Sequence, residues 1–213
     1  MPICHINTII FIHIPKTGGT SIEKLLNIYN ENAYKPCVNT LHGYFPVNYK
    51  NNLDNPLNKG SRKGYNLQHL SLSEIRELIP YDIYKNYFKF TLVRNPWDRL
   101  VSEYMWAYWK IMNFNEFIDK VKYCVNNNVL LTTMNSHVRP QIDFINKDID
   151  HIGRFENIGD EINVIKNRYK IKRDLTHEKK SKRDHYKKYY SLENAKLVEK
   201  LYSKDIEEFN YSF

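Results

Sequence analysis

The chain has 213 residues, 42% hydrophobic and 14% aromatic, enough for one substantial core without a second domain. Its three cysteines, Cys4, Cys37 and Cys124, are odd in number and widely spaced, which argues against a disulfide framework or a zinc site, and no apolar run is long enough to span a bilayer. The net charge is +8, and all of it lies between residues 166 and 188, where eleven Lys or Arg face three acids while the rest of the chain balances.

Residues 7–14 are rich in β-branched side chains and predict a buried strand, and IEKLLNIY, from residue 22, places apolar residues at helical spacing. Between them, PKTGGTS (15–21) is a strand-to-helix turn. Its glycines let the backbone approach a ligand closely, and its N–H groups with the helix N-terminus present positive partial charge to a phosphate-like oxyanion. Lys16 adds a full charge. The lysine precedes the glycines, so the GxxxxGK[ST] pattern of ordinary ATPases and kinases is absent, and the lesser alternative for the segment alone is a simple turn. A strand starting near residue 7 leaves no room for a leader or anchor ahead of it, so a cytoplasmic chain is expected.

Residues 31–66 break the regular pattern with many Asn and three prolines and are expected to bind an acceptor. His69 follows, just ahead of Ser71 and Glu74, a capping-box pair that predicts a helix. Residues 87–108, YFKFTLVRNPWDRLVSEYMWAY, again run from a strand into a helix. Asn95 is the expected cap, Pro96 suits the first turn, and Asp98 is favourable at the positive end of the dipole. Arg94, with Arg99 and Ser102 three apart on one helix face, makes a second oxyanion site, since arginine donates two parallel hydrogen bonds. Alternatively, Arg94 and Arg99 pair with Asp98 or Glu103 on a solvated helix. Residues 192–209, capped by Ser191, predict a packed C-terminal helix. Strand–helix alternation at both sites predicts an α/β fold, a single domain over 1–213 with a mainly parallel sheet flanked by helices, and both loops meeting at one sheet edge.

PKTGGTS followed by VRNPWDRLVSEY resembles the two nucleotide-binding elements of the sulfotransferases that use 3′-phosphoadenosine 5′-phosphosulfate (PAPS), most closely the carbohydrate (heparan- and chondroitin-like) branch. HVRPQIDFI (137–145), IGRFEN (152–157), SKRDHYKKYY (181–190) and LYSKDIEEFNYSF (201–213) extend the resemblance over nearly the whole chain. It implies a P-loop-like fold and transfer of a sulfuryl group to an acceptor hydroxyl, on a carbohydrate, leaving 3′-phosphoadenosine 5′-phosphate (PAP). It further implies that Lys16 meets the oxygen between sulfur and the 5′-phosphate, that Thr17, Gly18, Gly19, Thr20 and Ser21 wrap that phosphate, and that Arg94 and Ser102 hold the 3′-phosphate. The basic loop 166–190 would close over the nucleotide, with Lys182 and Arg183 near the 3′-phosphate. The chain lacks the Arg-Lys-Gly loop that cytosolic relatives place there.

The acceptor's proton needs a base, and histidine is the usual one at neutral pH. His69 is the expected base, 24 residues ahead of Val93, where related enzymes carry a histidine. His42 is the alternative. His42, His137 and Arg139 are expected on the acceptor side, and His13 is expected to be a hydrogen-bonded structural residue. Structural roles are expected for Glu156 and Asp205, and core positions for Trp97, Trp106 and Trp109, with Trp97 close enough to Arg94 to flank adenine. No metal is expected, because no His, Cys or carboxylate cluster has ligand spacing. Neither a membrane span nor nucleic acid is the expected partner. The rival readings are an ATP-dependent phosphotransferase, which would need a Mg²⁺-binding carboxylate beside the first loop, and a non-enzymatic basic nucleic-acid-binding protein, which would work through residues 166–188.

Overall fold

The structure, a computed structural model, describes residues 3–4, 6–26, 69–127, 135–176 and 183–213. His42, Lys182 and the segment 31–66 lie outside them. Four strands form one sheet in the order β1 (Ile3–Cys4), β2 (Ile9–Ile12), β3 (Phe88–Val93), β4 (His151–Arg154). β2–β3 and β3–β4 are parallel and β1–β2 is antiparallel. The expected α/β fold with a mainly parallel sheet is thus present. The first strand comes earlier than the composition predicts. Residues 6–8 form a turn, with Thr8 at φ 51°, so the expected strand over 7–14 is a hairpin end followed by the four residues of β2.

β2 is buried on both faces, as the inner strand of a parallel pair requires, and its side chains sort with period two. Ile10 and Ile12 pack with α2 (Leu72–Leu78), α3 (Tyr81–Asn86), Phe144 and Phe209. Ile9 and Phe11 pack on the other face with Ile22 and Leu25 of α1 (Gly19–Leu25) and Ile162 and Ile165 of α6 (Ile158–Tyr169). A third cluster joins α4 (Pro96–Glu103), α5 (Phe114–Asn126) and α7 (Leu192–Leu201) around Trp97, Leu100, Phe117 and Val198. Trp97 is core, its indole N–H donating to Ala195 O at 3.0 Å.

The caps read from the sequence are in place. Asn95 accepts from the Trp97 and Asp98 N–H groups, Ser71 and Glu74 form the reciprocal capping box, and Ser191 caps α7. The expected single helix over 192–209 is two, because Tyr202 leaves helical geometry before α8 (Ser203–Glu208) while its buried hydroxyl donates to Val138 O. α4 continues into a π-helical turn, Tyr104–Tyr108, closed by Trp109 N–H to Tyr104 O at 3.0 Å. The parallel registers Ile12↔Thr91 and Val93↔Arg154 bring the carboxyl ends of β2, β3 and β4 to one edge, where the candidate site lies.

Candidate active site at the strand ends

The chain leaving β2 turns sharply, with Lys16 at φ 68° and Gly18 at φ 83°. Left-handed backbone is natural for glycine and strained for lysine, and strain of this kind gathers at functional sites. Gly19 is required by contact, since a Cβ there would lie 2.2 Å from the His13 ring. The loop alternates: Thr17, Gly19 and Ser21 are buried, while Lys16, Gly18 and Thr20 keep exposed surface. The Thr17 hydroxyl is spent on the loop itself, donating to Ile14 O at 2.8 Å.

Arg94 arrives beside this loop from β3. Its Nη1 donates to the Lys16 carbonyl at 2.9 Å, which ties the two loops together. Its Nε and Nη2 grip Asp98 Oδ2 at 2.8 and 2.6 Å, and the Phe155 ring lies 4.1 Å from the guanidinium carbon. Arg183 Nη2 takes the other oxygen of Asp98 at 2.5 Å. One carboxylate therefore holds two guanidiniums together. Burial lowers the Arg94 pKa from its ordinary value, and Asp98 opposes that shift. The backbone is fixed by Gln141, which accepts from Arg94 N and donates to Arg94 O, and Asp205 in turn accepts from the Gln141 and Ile142 N–H groups. Glu156 accepts from Asn95 N–H and Tyr211 O–H. Asp205 and Glu156 thus have the hydrogen-bonded structural roles expected of them. Ser102 lies half-buried on α4, one turn beyond Asp98.

Arg99 does not join the anion site. Its guanidinium is buried and donates to three carbonyls: Pro15 at 3.0 Å, and His137 and Arg139 at 2.9 Å each. Arg99 and Ser102 are three apart on α4 as predicted, but these distant carbonyls take the guanidinium away from the expected anion site.

Next to the Lys16 loop, where His13 lies against Gly19, three histidines stack edge to face. His69 lies 4.8 Å from His13 and 5.0 Å from His137, ring centre to ring centre. His13 meets the buried Glu23 at 2.5 Å, as expected of a structural histidine, and His137 meets the buried Glu103 at 2.9 Å. His69 Nδ1 lies 3.0 Å from the His13 carbonyl, which can only accept. The Nδ1 therefore carries the proton and Nε2 keeps its lone pair. Burial, then the neighbouring His13 and His137, holds the His69 pKa well below the usual histidine value, so the ring is neutral at physiological pH.

Residues 2–212 match the model of the sulfotransferase family. The chain belongs to that family. No curated protein and no solved structure matches it.

Within this sulfotransferase, the structure brings together Lys16 and the 17–21 loop, Arg94, Arg183, His69 and His137. Arg139 is engaged elsewhere, facing Glu74 at 3.6 Å and Asp143 at 3.9 Å and donating to Asp143 O. The Arg94–Asp98 pair is the alternative that the sequence offered, while sequence reasoning missed Arg183 on the same carboxylate, and Glu23 and Glu103 as the carboxylates behind the histidines. Among these, Glu103 carried a signal, one turn beyond Arg99. Trp106 and Trp109 are not core residues as expected: they are 54% and 52% exposed. The Trp106 ring stacks on His137 at 5.2 Å, and Lys16 Nζ lies 4.7 Å from its centre. Among the described residues no group of three or more His, Cys, Asp or Glu could hold a metal ion, and no helix is long and apolar enough to cross a membrane.

Proposed function

We propose that this sulfotransferase uses PAPS as donor and a carbohydrate hydroxyl as acceptor. The observation that carries the reading is the hydrogen bond from Arg94 to the Lys16 carbonyl, which couples a lysine-bearing turn to a carboxylate-linked pair of guanidiniums. A donor with phosphates at two separated positions fits such a pair of sites, and PAPS supplies an activated sulfuryl group.

Lys16 would stand at the oxygen that leaves with the 5′-phosphate, where an ammonium stabilises developing negative charge. Residues 17–21 would wrap that phosphate through their backbone, and Arg94, Ser102, Lys182 and Arg183 would hold the 3′-phosphate, with loop 166–190 closing over it. Asp98 keeps Arg94 and Arg183 in one place. His69 is the base: a neutral imidazole with Nδ1–H tied to the His13 carbonyl leaves Nε2 to take the acceptor proton. His137 stands next to it, and His42 with residues 31–66 belongs to the acceptor side. Arg139 would serve the acceptor only by giving up its contacts with Glu74 and Asp143.

The test compares thermal unfolding with PAP, ADP and Mg-ATP. At about 100 times its dissociation constant, PAP should stabilise by about 2.7 kcal/mol, a rise of roughly 5–10 °C. A response to Mg-ATP alone would sink the proposal in favour of a phosphotransferase. Transfer of labelled sulfuryl to a panel of oligosaccharides, a tyrosine peptide and a simple phenol then tests the acceptor class. Labelling of the peptide or phenol alone would overturn the carbohydrate assignment.

A further inference from the structure

Trp106 is a large aromatic side chain left more than half in water beside the candidate site, where it touches two functional groups at once. Lys16 Nζ lies 4.7 Å from its ring centre, and the His137 imidazole stacks on it at 5.2 Å with 28° between planes. It sits in the π-helical turn, which keeps Tyr104 and Tyr108 in the core and sets Trp106 outside it. Such turns are uncommon and frequently mark functional positions. Trp109, equally exposed three residues on, has Lys110 against its ring at 5.1 Å.

We propose that Trp106 is a positioning residue for sulfuryl transfer: its indole holds the Lys16 ammonium by cation–π attraction and the His137 ring by stacking, so the leaving-group lysine stands in fixed register with the histidine cluster. The inference rests on the proposed role of Lys16. An ammonium on a flexible four-carbon stem has many rotamers, and a ring face 4.7 Å away selects those that keep it at the loop. The His137 ring touches His69 on its other contact, at 5.0 Å, so the chain of contacts runs Lys16, Trp106, His137, His69. Because Trp106 is exposed, its replacement removes the contacts while leaving the core in place.

The experiment uses Trp106→Leu, Trp106→Phe and, as a control, Trp109→Leu. Two readouts need no acceptor. The first is trace acetylation of the folded protein with mass-spectrometric quantification of Lys16 relative to the other lysines. The second is hydrolysis of PAPS, in which water attacks sulfur, the bond from sulfur to the 5′-phosphate oxygen breaks, and PAP, sulfate and a proton are released. Trp106→Leu should raise Lys16 acetylation and lower kcat for hydrolysis by about tenfold to a hundredfold, the scale expected of a misplaced catalytic group, with KM for PAPS within about threefold. Trp106→Phe should restore most of both, and Trp109→Leu should change neither. Unchanged Lys16 acetylation in Trp106→Leu overturns the proposal, as does equal loss in the Phe and Leu variants, or hydrolysis that is absent or insensitive to Trp106→Leu. Failure of PAP to stabilise the wild-type protein would instead overturn the parent reading, and this one with it.

Discussion

Replacing Arg99 with Met tests whether one buried guanidinium holds both halves of the site. Arg99 is 1% exposed, and its donors reach Pro15 of the lysine loop and residues 137 and 139 beside the histidine cluster. Methionine leaves three carbonyls without their donor, and each buried group so orphaned costs about 1–3 kcal/mol. Glu103, buried and one turn further along α4, also loses the charge of Arg99. Against this, burial already penalises the Arg99 cation, lowering its pKa from the ordinary value, and that penalty disappears with the charge. The net loss is about 4 kcal/mol, within the range for breaking buried charged contacts. For a chain of this size it corresponds to a fall in Tm of about 8–16 °C. Scanning calorimetry on the wild type and the variant measures it. Arg99→Lys should recover only part of the loss, because a point ammonium does not reproduce the planar fork. A fall in Tm below about 3 °C for Arg99→Met would refute the reasoning, since three lost charge-assisted bonds from a buried guanidinium cannot cost so little.

Other outcomes follow from the same contacts. Gly19→Ala should lower Tm by several degrees and displace His13, because its Cβ would sit 2.2 Å from that ring; Gly159→Ala, with nothing within 4 Å, should be neutral or raise Tm by about 2 °C. Parallel melting curves settle that pair, and equal shifts would count against the packing seen at Gly19. Lys16→Gly should be more stable than Lys16→Ala by about 1 kcal/mol, because glycine relieves the positive φ, and both should lose transfer; equal Tm values would mean that the left-handed turn does not persist in solution. Folding holds the His69 pKa below its ordinary 6.5, so below that pH the unfolded chain takes up a proton that the folded chain refuses. This contribution to stability is complete above pH 6.5 and is lost as pH falls toward the folded-state value. His69→Gln should therefore flatten the acid-side decline of Tm, and an unaltered slope would show that His69 titrates normally in the folded protein.

The two strand-turn-helix segments were legible because their signals are local. β-branched runs make the strands, Pro96 and Asn95 start α4, and Ser71 with Glu74 starts α2. Lys16, Arg94 and His69 stand at the ends of such elements, where a side chain is carried to the sheet edge whatever packs elsewhere. Which other charges reach that edge was not local. Arg94 and Arg99 are both arginines at the start of one helix, yet one lies beside Asp98 and Arg183 while the other is consumed by carbonyls 38, 40 and 84 residues away. Trp106 looked like Trp97 in its aromatic surroundings, and only the π-helical turn turned it outward against Lys16 and His137. The sequence by itself determined the fold class, the caps and the positions of the two loops, since each depends on neighbours within a few residues. Only the tertiary structure decided how the charged and aromatic side chains were divided between core and site. That division depends on which buried carbonyls and carboxylates distant segments leave to be satisfied.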